Sequence, residues 1–290
     1  MKVRIGIFCS LSDNSLTTNR RFRLENLSYE NVINTFLKNL EDLRKLLEFS
    51  KLSHFEIFRI GSYLVPFFSH RKFKDKWKYE VEDILKSQSN YIKSFNIRLT
   101  MHPPQFVILN SPKRQVVENS IKELMYHFFI LDSLDLDENS IIIIHIGGKY
   151  ENKQKSIDNF INTIENYSFL KRRLAIENDD KIYTVRDVLE ISKYTNLPVV
   201  FDFFHHRLNP SDFDISEVIE TWGKRIPKFH ISSQGRKKYE HSDYLEISDL
   251  EEFLKLFKNK NITIDLMPEV KMKEKSCYKI LDYLNENKNN

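Results

Sequence analysis

The stretch IIIIHIGG (Ile141–Gly148), with its later counterpart LPVVFD (Leu197–Asp202), decides the fold. Both are short and almost wholly apolar. Neither alternates polar with apolar residues, as a strand with one wet face would, so each reads as a strand covered on both faces. Each also carries one polar residue at its end, His145 in the first and Asp202 in the second.

Further β-rich runs lie on either side. The predicted strands are Val3–Cys9, Glu56–Ile60, Ile97–Met101, Ile141–His145, Arg173–Glu177, Pro198–Asp202, Lys228–Ser232 and Ile262–Glu269. Segments with helical periodicity separate them: Tyr29–Glu48, Tyr79–Phe95, Gln115–Leu131, Lys155–Glu165, Thr184–Thr195 and Ser248–Phe257, with Cys277–Leu284 as a last helix. Eight strands alternating with helices is the count of a (β/α)8 TIM barrel. An open doubly wound sheet is the runner-up, but no Gly-x-Gly-x-x-Gly follows the first strand. At this length one domain over residues 1–290 is expected.

Composition bounds the function. Hydrophobic residues make up 41%, enough for a sizeable core. No apolar run approaches the roughly 20 residues that cross a bilayer, and MKVRIGIFCS reads as a strand rather than a signal peptide. Two cysteines, Cys9 and Cys277, make no disulfide framework, so a reducing cytoplasm is expected. The net charge of +4 neither demands nor excludes nucleic acid. Two clusters say more: Arg71, Lys72, Lys74, Lys76 and Lys78, and Arg236, Lys237 and Lys238. They suit phosphate neutralisation, or simply a solvated face.

The informative regularity is where polar residues fall. Five predicted strands end in a potential metal ligand: His102, His145, Glu177, Asp202 (with His205 three residues on) and Glu269. His230 lies two residues after Lys228 on a sixth, so both point the same way. In a barrel the C-terminal strand ends converge on one mouth, where active sites are built. Singly, such a His is usually a hydrogen-bonded residue and such an Asp a helix cap. Jointly, the cluster would be costly to bury without a cation. Imidazole and carboxylate without cysteine suit zinc, manganese or iron.

These residues sit in motifs that carry a resemblance. TTNR (Thr17–Arg20), FRIGSYLVPFFSH (Phe58–His70), MHPPQF (Met101–Phe106), HIGGKY (His145–Tyr150), AIEND (Ala175–Asp179), DFFHHRLNP (Asp202–Pro210), KFHISSQ (Lys228–Gln234) and HSDY (His241–Tyr244) resemble, in the same order, the motifs of the UV-damage endonucleases. That family is similar to the endonuclease IV group and to sugar isomerases, so the resemblance implies an endonuclease IV / xylose isomerase-like barrel. It further implies three divalent metal ions, manganese favoured, with zinc, magnesium or cobalt as alternatives. His102, His145 and Glu177 match the ligands of one; Glu177, Asp202, His230 and Glu269 those of a second; His205 and His241 those of a third. His70 lies in a matching segment, as a ligand or as a loop histidine bonded to a neighbour. His206 reads as a residue that supports the ligands from behind or as a structural one.

The implied chemistry is metal-assisted hydrolysis of a phosphodiester in damaged double-stranded DNA, 5′ of the lesion, leaving a 3′-hydroxyl and a 5′-phosphate. Glu177 and Lys228 would serve catalysis. An ammonium aimed at dications would be repelled, so Lys228 is expected to be neutral, swung toward phosphate, or converted to a carbamate. Gln105 and Phe106 match a wedge that fills the gap left by a flipped dinucleotide; the alternative is Phe106 packed under its loop. Pro104, where glycine is common, stiffens that loop. Asn19, Arg20, Lys149, Tyr150 and Gln234 occupy matching loops as candidate DNA contacts. Gly147 and Gly148 suit close approach of DNA or a tight turn. A compact monomer at the nucleoid is the expected state. A sugar isomerase or epimerase, and a DNA-binding protein with a dead site, are the competing readings.

Overall fold

In the structure, a computed structural model describing residues 1–287, eight parallel strands close into a barrel in sequence order. They are β1 (Lys2–Phe8), β2 (Ile57–Ile60), β3 (Arg98–Met101), β4 (Ile142–His145), β5 (Leu174–Glu177), β6 (Val199–Asp202), β7 (Lys228–Ile231) and β8 (Thr263–Pro268). Closure is made by β1 against β8, where Lys2 to Ile5 pair with Thr263 to Leu266. The predicted architecture is thus the observed one, with strand bounds that differ by a residue or two.

The long helices α1 (Tyr29–Leu52), α2 (Asp75–Ser94), α3 (Arg114–Ser133), α4 (Lys153–Asn166) and α5 (Val185–Thr195) wrap the strands. Their starts are set by side-chain caps where these exist: Ser28 accepts from the Asn31 amide, Asn152 from that of Lys155, and Thr184 forms a capping box with Asp187. Helix α2 begins four residues before the predicted start, because Trp77, set among charged neighbours, is buried one turn ahead of Val81 and Leu85 and extends their apolar stripe. Two short helices follow β6, α6 (Phe203–Leu208) and α7 (Ile215–Glu220), and neither was predicted. At six residues each they are too short for a periodic stripe to register. They are followed by α8 (Ile247–Lys255) and α9 (Lys273–Glu286).

Inside the barrel the lower layer is charged. Asp265 of β8 takes a two-pronged contact from Arg4 of β1, at 2.5 and 2.8 Å, and a third bond from Arg98 of β3 at 2.7 Å. Asp265 and Arg98 are buried. Removing the carboxylate would leave two guanidiniums without their anion, which costs about 3–5 kcal/mol for a buried pair. Asp265→Ala is therefore expected to lower the unfolding free energy by about that amount in urea titrations.

Helix α3 carries a second buried polar group. His127 donates from Nδ1 to the Glu123 carbonyl at 2.7 Å, while its Nε2 has no partner. Burial, only partly opposed by that carbonyl, pulls its pKa from 6.5 to about 4. Between those values the unfolded chain binds a proton that the folded chain refuses. The stabilisation is complete above pH 6.5 and falls as pH drops toward 4, by roughly 3 kcal/mol over the window. His127→Gln is expected to flatten the melting-temperature profile between pH 6.5 and 4.

Candidate metal centre

Strand register places the ligating side chains. His145, the last residue of β4, is the register partner of Glu177, the last of β5; Asp202, the last of β6, is that of His230 on β7. His102 and Glu269 follow directly on β3 and β8. Six consecutive strands therefore deliver donors to one level of the mouth, as the sequence pattern anticipates.

Three groups have ligating atoms within 4.8 Å of one another: His102, His145 and Glu177; Glu177, Asp202 and His205; Asp202, His230 and Glu269. Glu177 is the hub. Its Oε2 lies 3.1 Å from His102 Nε2 and 3.8 Å from His145 Nε2, and its Oε1 lies 2.9 Å from His230 Nδ1 and 3.8 Å from His205 Nδ1. His230 Nδ1 also stands 3.3 Å from Glu269 Oε1.

The electrostatics are those of a compressed, part-compensated cluster. Burial pushes the Glu177 carboxyl up, but His230, His145 and His102 outweigh it and hold it well below the usual carboxylate range. Glu269 is likewise lowered against burial, chiefly by the Arg59 guanidinium that pairs with it. Asp202 goes the other way: burial, with Glu177 and Glu269 adding, raises it against His205 and His230. Burial lowers His102 despite Glu177. At His205 the carboxylates of Asp202, Glu177 and Glu269 overcome burial and lift the pKa to about 9.

The donors fit a cation on a further ground. Asp202 Oδ1 caps α6 by accepting the His205 amide at 2.7 Å, while its Oδ2 is buried with no partner. His230 Nε2 and His145 Nδ1 are buried and unpartnered too. Polar atoms left so would each cost about 1–3 kcal/mol. A divalent ion satisfies lone pairs of this kind and screens the three carboxylates from one another. Asp202 is thus both a cap and a candidate ligand, two readings that the sequence set against each other.

Several supporting residues escaped the sequence reading. Asn178 accepts the Asp202 amide and donates to the Asp202 carbonyl, at 2.9 and 3.0 Å, and its own carbonyl holds His205 Nδ1 at 3.0 Å. Arg59 sits mid-strand in IFRI and reaches Glu269; a lone arginine in an apolar strand was the available signal. Thr100 accepts from Lys228 Nζ at 3.1 Å. Lys228 is fully buried, and burial together with Arg59 and Arg98 lowers its pKa to about 7. This geometry favours the neutral amine over a side chain swung out to phosphate.

The remaining candidates divide. His241 stands beside His205, ring centroids 6.1 Å apart, with its Nδ1 2.5 Å from the Glu269 carbonyl oxygen. His70 lies apart from the three groups: its Nδ1 accepts the Lys72 amide at 3.3 Å and its ring meets Phe67. Gln105 and Phe106 occupy the centre of a turn closed by the Val107 amide on the Pro104 carbonyl at 3.0 Å. The turn thrusts both outward, and Phe106 is 59% exposed rather than packed under its loop. Asn19, Lys149 and Gln234 are exposed and Tyr150 half-buried. The Arg20 guanidinium is committed to Asp42 and the Thr17 carbonyl, at 2.5 and 2.8 Å. Gly147 has φ +114°, and a Cβ there would meet Asn110 Oδ1 at 2.5 Å; internal packing explains it without DNA.

Fold and mouth together define a TIM-barrel protein whose buried His, Asp and Glu side chains could hold metal ions. The profile of the family described as UV-endonuclease UvdE matches residues 10–289. A UV DNA damage endonuclease of Clostridium perfringens is 36% identical over 295 residues, covering 98% of this chain and 71% of that protein. The crystal structure titled SacUVDE superposes with a TM-score of 0.89 at 35% identity, covering 98% of each chain. D-psicose 3-epimerase from Clostridium cellulolyticum H10 reaches 0.59 at 14% identity over 98% of each chain, a likeness of fold alone. The chain belongs to the UV-damage endonuclease family, and it is an endonuclease of DNA repair.

Because Glu177 serves two of the three groups, Glu177→Ala is expected to bind fewer manganese ions per chain than His102→Ala, counted by mass spectrometry after dialysis. Manganese at 100 times its dissociation constant should stabilise the wild type by about 2.7 kcal/mol, and chelation should reverse this in a thermal melt.

Proposed function

We propose that this protein is a metal-dependent endonuclease that nicks duplex DNA on the 5′ side of cyclobutane dimers and 6-4 photoproducts, leaving a 3′-hydroxyl and a 5′-phosphate. The observation that carries this reading is the convergence of seven ligating side chains, with the unpartnered Asp202 Oδ2 and His230 Nε2, at the mouth that also bears the exposed Gln105–Phe106 turn. Three ions, manganese favoured over zinc, magnesium or cobalt, would be held by His102, His145 and Glu177, by Glu177, Asp202, His230 and Glu269, and by His205 with His241. Bound there, they supply Lewis acidity, which lowers the pKa of water and neutralises charge building on a phosphodiester.

The chain's own groups do the rest. Glu177 and Asp202, buried and fixed by Asn178, hold the centre in one geometry. Arg59 keeps Glu269 ionised and aimed inward. Lys228, neutral in part near pH 7, sits below the centre without adding a full repelling charge; as a neutral amine it is also the form that carbamate formation requires, and native mass spectrometry at mild pH would register that adduct.

Lesion recognition rests on shape. Beside Phe106 lies a cavity of about 1220 Å³ lined by Arg21, Phe22, Tyr63, Phe67 and Lys122 among others. Its size, aromatic floor and cationic rim suit two unstacked bases and their phosphates. Loss of the stacking ring costs about 1–3 kcal/mol per base. Phe106→Ala is therefore expected to lower kcat/KM on UV-irradiated DNA roughly 5- to 150-fold while leaving manganese content unchanged. The protein is read as a monomer acting on nucleoid DNA in the cytoplasm.

Incubation with manganese and UV-irradiated supercoiled plasmid tests the whole reading. The expected outcome is nicking that EDTA abolishes and that spares unirradiated plasmid, with termini bearing 3′-hydroxyl and 5′-phosphate. Binding without nicking would overturn it in favour of a dead site.

A further inference from the structure

The sequence pattern marks Arg236, Lys237 and Lys238 only as charge. The structure adds a residue between that cluster and a different loop. Tyr239, in the loop after β7, is 39% exposed. The Lys238 ammonium lies over its ring at 4.9 Å, and the Lys181 ammonium, from the loop after β5, at 4.7 Å. Two cations from separate loops thus meet on one aromatic ring.

The loop is built to hold the ring there. Tyr239 adopts φ +68°, a left-handed conformation that side-chain-bearing residues rarely take. Such a conformation persists only where its surroundings over-determine it. Here the Gly235 amide bonds the Glu240 carbonyl at 2.6 Å, and the Glu240 amide bonds the Lys237 carbonyl at 3.0 Å. The Glu240 carboxylate accepts from the Lys237 amide at 3.0 Å and from Lys271 Nζ at 2.6 Å. That carboxylate, already committed, does not bind the two ammoniums. A bridge from Gln234 to His241 closes the base of the loop, next to the His205–His241 pair.

Position gives the feature its meaning. In a closed barrel of eight strands ordered by sequence, β7 is four strands from β3 in either direction. Tyr239 therefore stands on the lip opposite the Phe106 turn, with the candidate metal centre between them. A free lysine head samples many rotamers and binds phosphate at an entropic cost. A lysine held over a ring keeps donors free for phosphate oxygens, with much of that cost already met by the fold. Asp180 touches Lys181 at 3.4 Å and competes only from one side.

We propose that Tyr239 is a positioning residue that holds the Lys181 and Lys238 ammoniums as a two-phosphate clamp for duplex DNA on the lip facing Phe106. This rests on the endonuclease reading above. It does not depend on damage, because phosphates carry no lesion information.

The test is binding of the full-length wild type and variants to unirradiated duplex, by fluorescence anisotropy from 50 to 200 mM salt. Each phosphate contact contributes about 0.9 to the slope of log K against log salt. Tyr239→Leu is expected to weaken binding about tenfold and to make the slope shallower by between about one and two. Lys181→Ala with Lys238→Ala should do the same, and adding Tyr239→Leu to that pair should change little more. Tyr239→Phe, which keeps the ring, should behave as wild type. An unchanged slope and affinity in Tyr239→Leu would overturn the clamp. So would weaker binding at unchanged slope, which means that the ring touches bases directly, or failure of Tyr239→Phe to rescue. Nicking of UV-irradiated plasmid by the wild type reports separately on the endonuclease reading, so either can fail without the other.

Discussion

One carboxylate organises the mouth of this barrel. Glu177 is fully buried, yet four imidazoles, from His102, His145, His205 and His230, stand within 3.8 Å of its oxygens. Burying a charge is costly, and here the compensation comes from groups delivered by four different strands or the segments that follow them. The closed barrel makes this possible, because parallel strands in fixed register end at nearly one level. The same register brings Asp202 beside His230 and His145 beside Glu177.

The charge pattern also runs down the barrel axis. Glu269 is held by Arg59, Lys228 lies against Thr100, and Asp265 below binds Arg4 and Arg98. Buried acidic and basic side chains pair with one another within an otherwise apolar wall, so the candidate metal centre stands on a compensated support. Such preorganisation is what a site needs when its task is to stabilise charge on a phosphodiester. It also accounts for Lys228, whose depressed pKa comes first from burial and then from the guanidiniums of Arg59 and Arg98.

The rim carries the features suited to DNA. An exposed turn with Phe106 at its tip, an aromatic cavity beside it and a lysine-flanked Tyr239 on the opposite lip divide the mouth into unlike sides. The cavity is lined by the loops after β1, β2 and β3 together with residues of α2 and α3 such as Lys78 and Lys122.

Much of this was legible in the sequence. Apolar strands with polar ends announce a barrel, and the motifs locate His102, His145, Glu177, Asp202, His205, His230 and Glu269, because strand-end position is a local property of the chain. What is not local was decided by tertiary structure. Asn178, Arg59 and Thr100 became part of the site through pairing across strands, which no spacing encodes. His70 stands away from the ligand groups, and Arg20 is spent on Asp42. The caps of α6 and α7 lie in segments too short to show a period. The meeting of Lys181 with Tyr239 required two loops to fold toward each other. Sequence order determines which residues a strand end carries; only closure of the barrel determines which strand ends face each other, and chemistry depends on that.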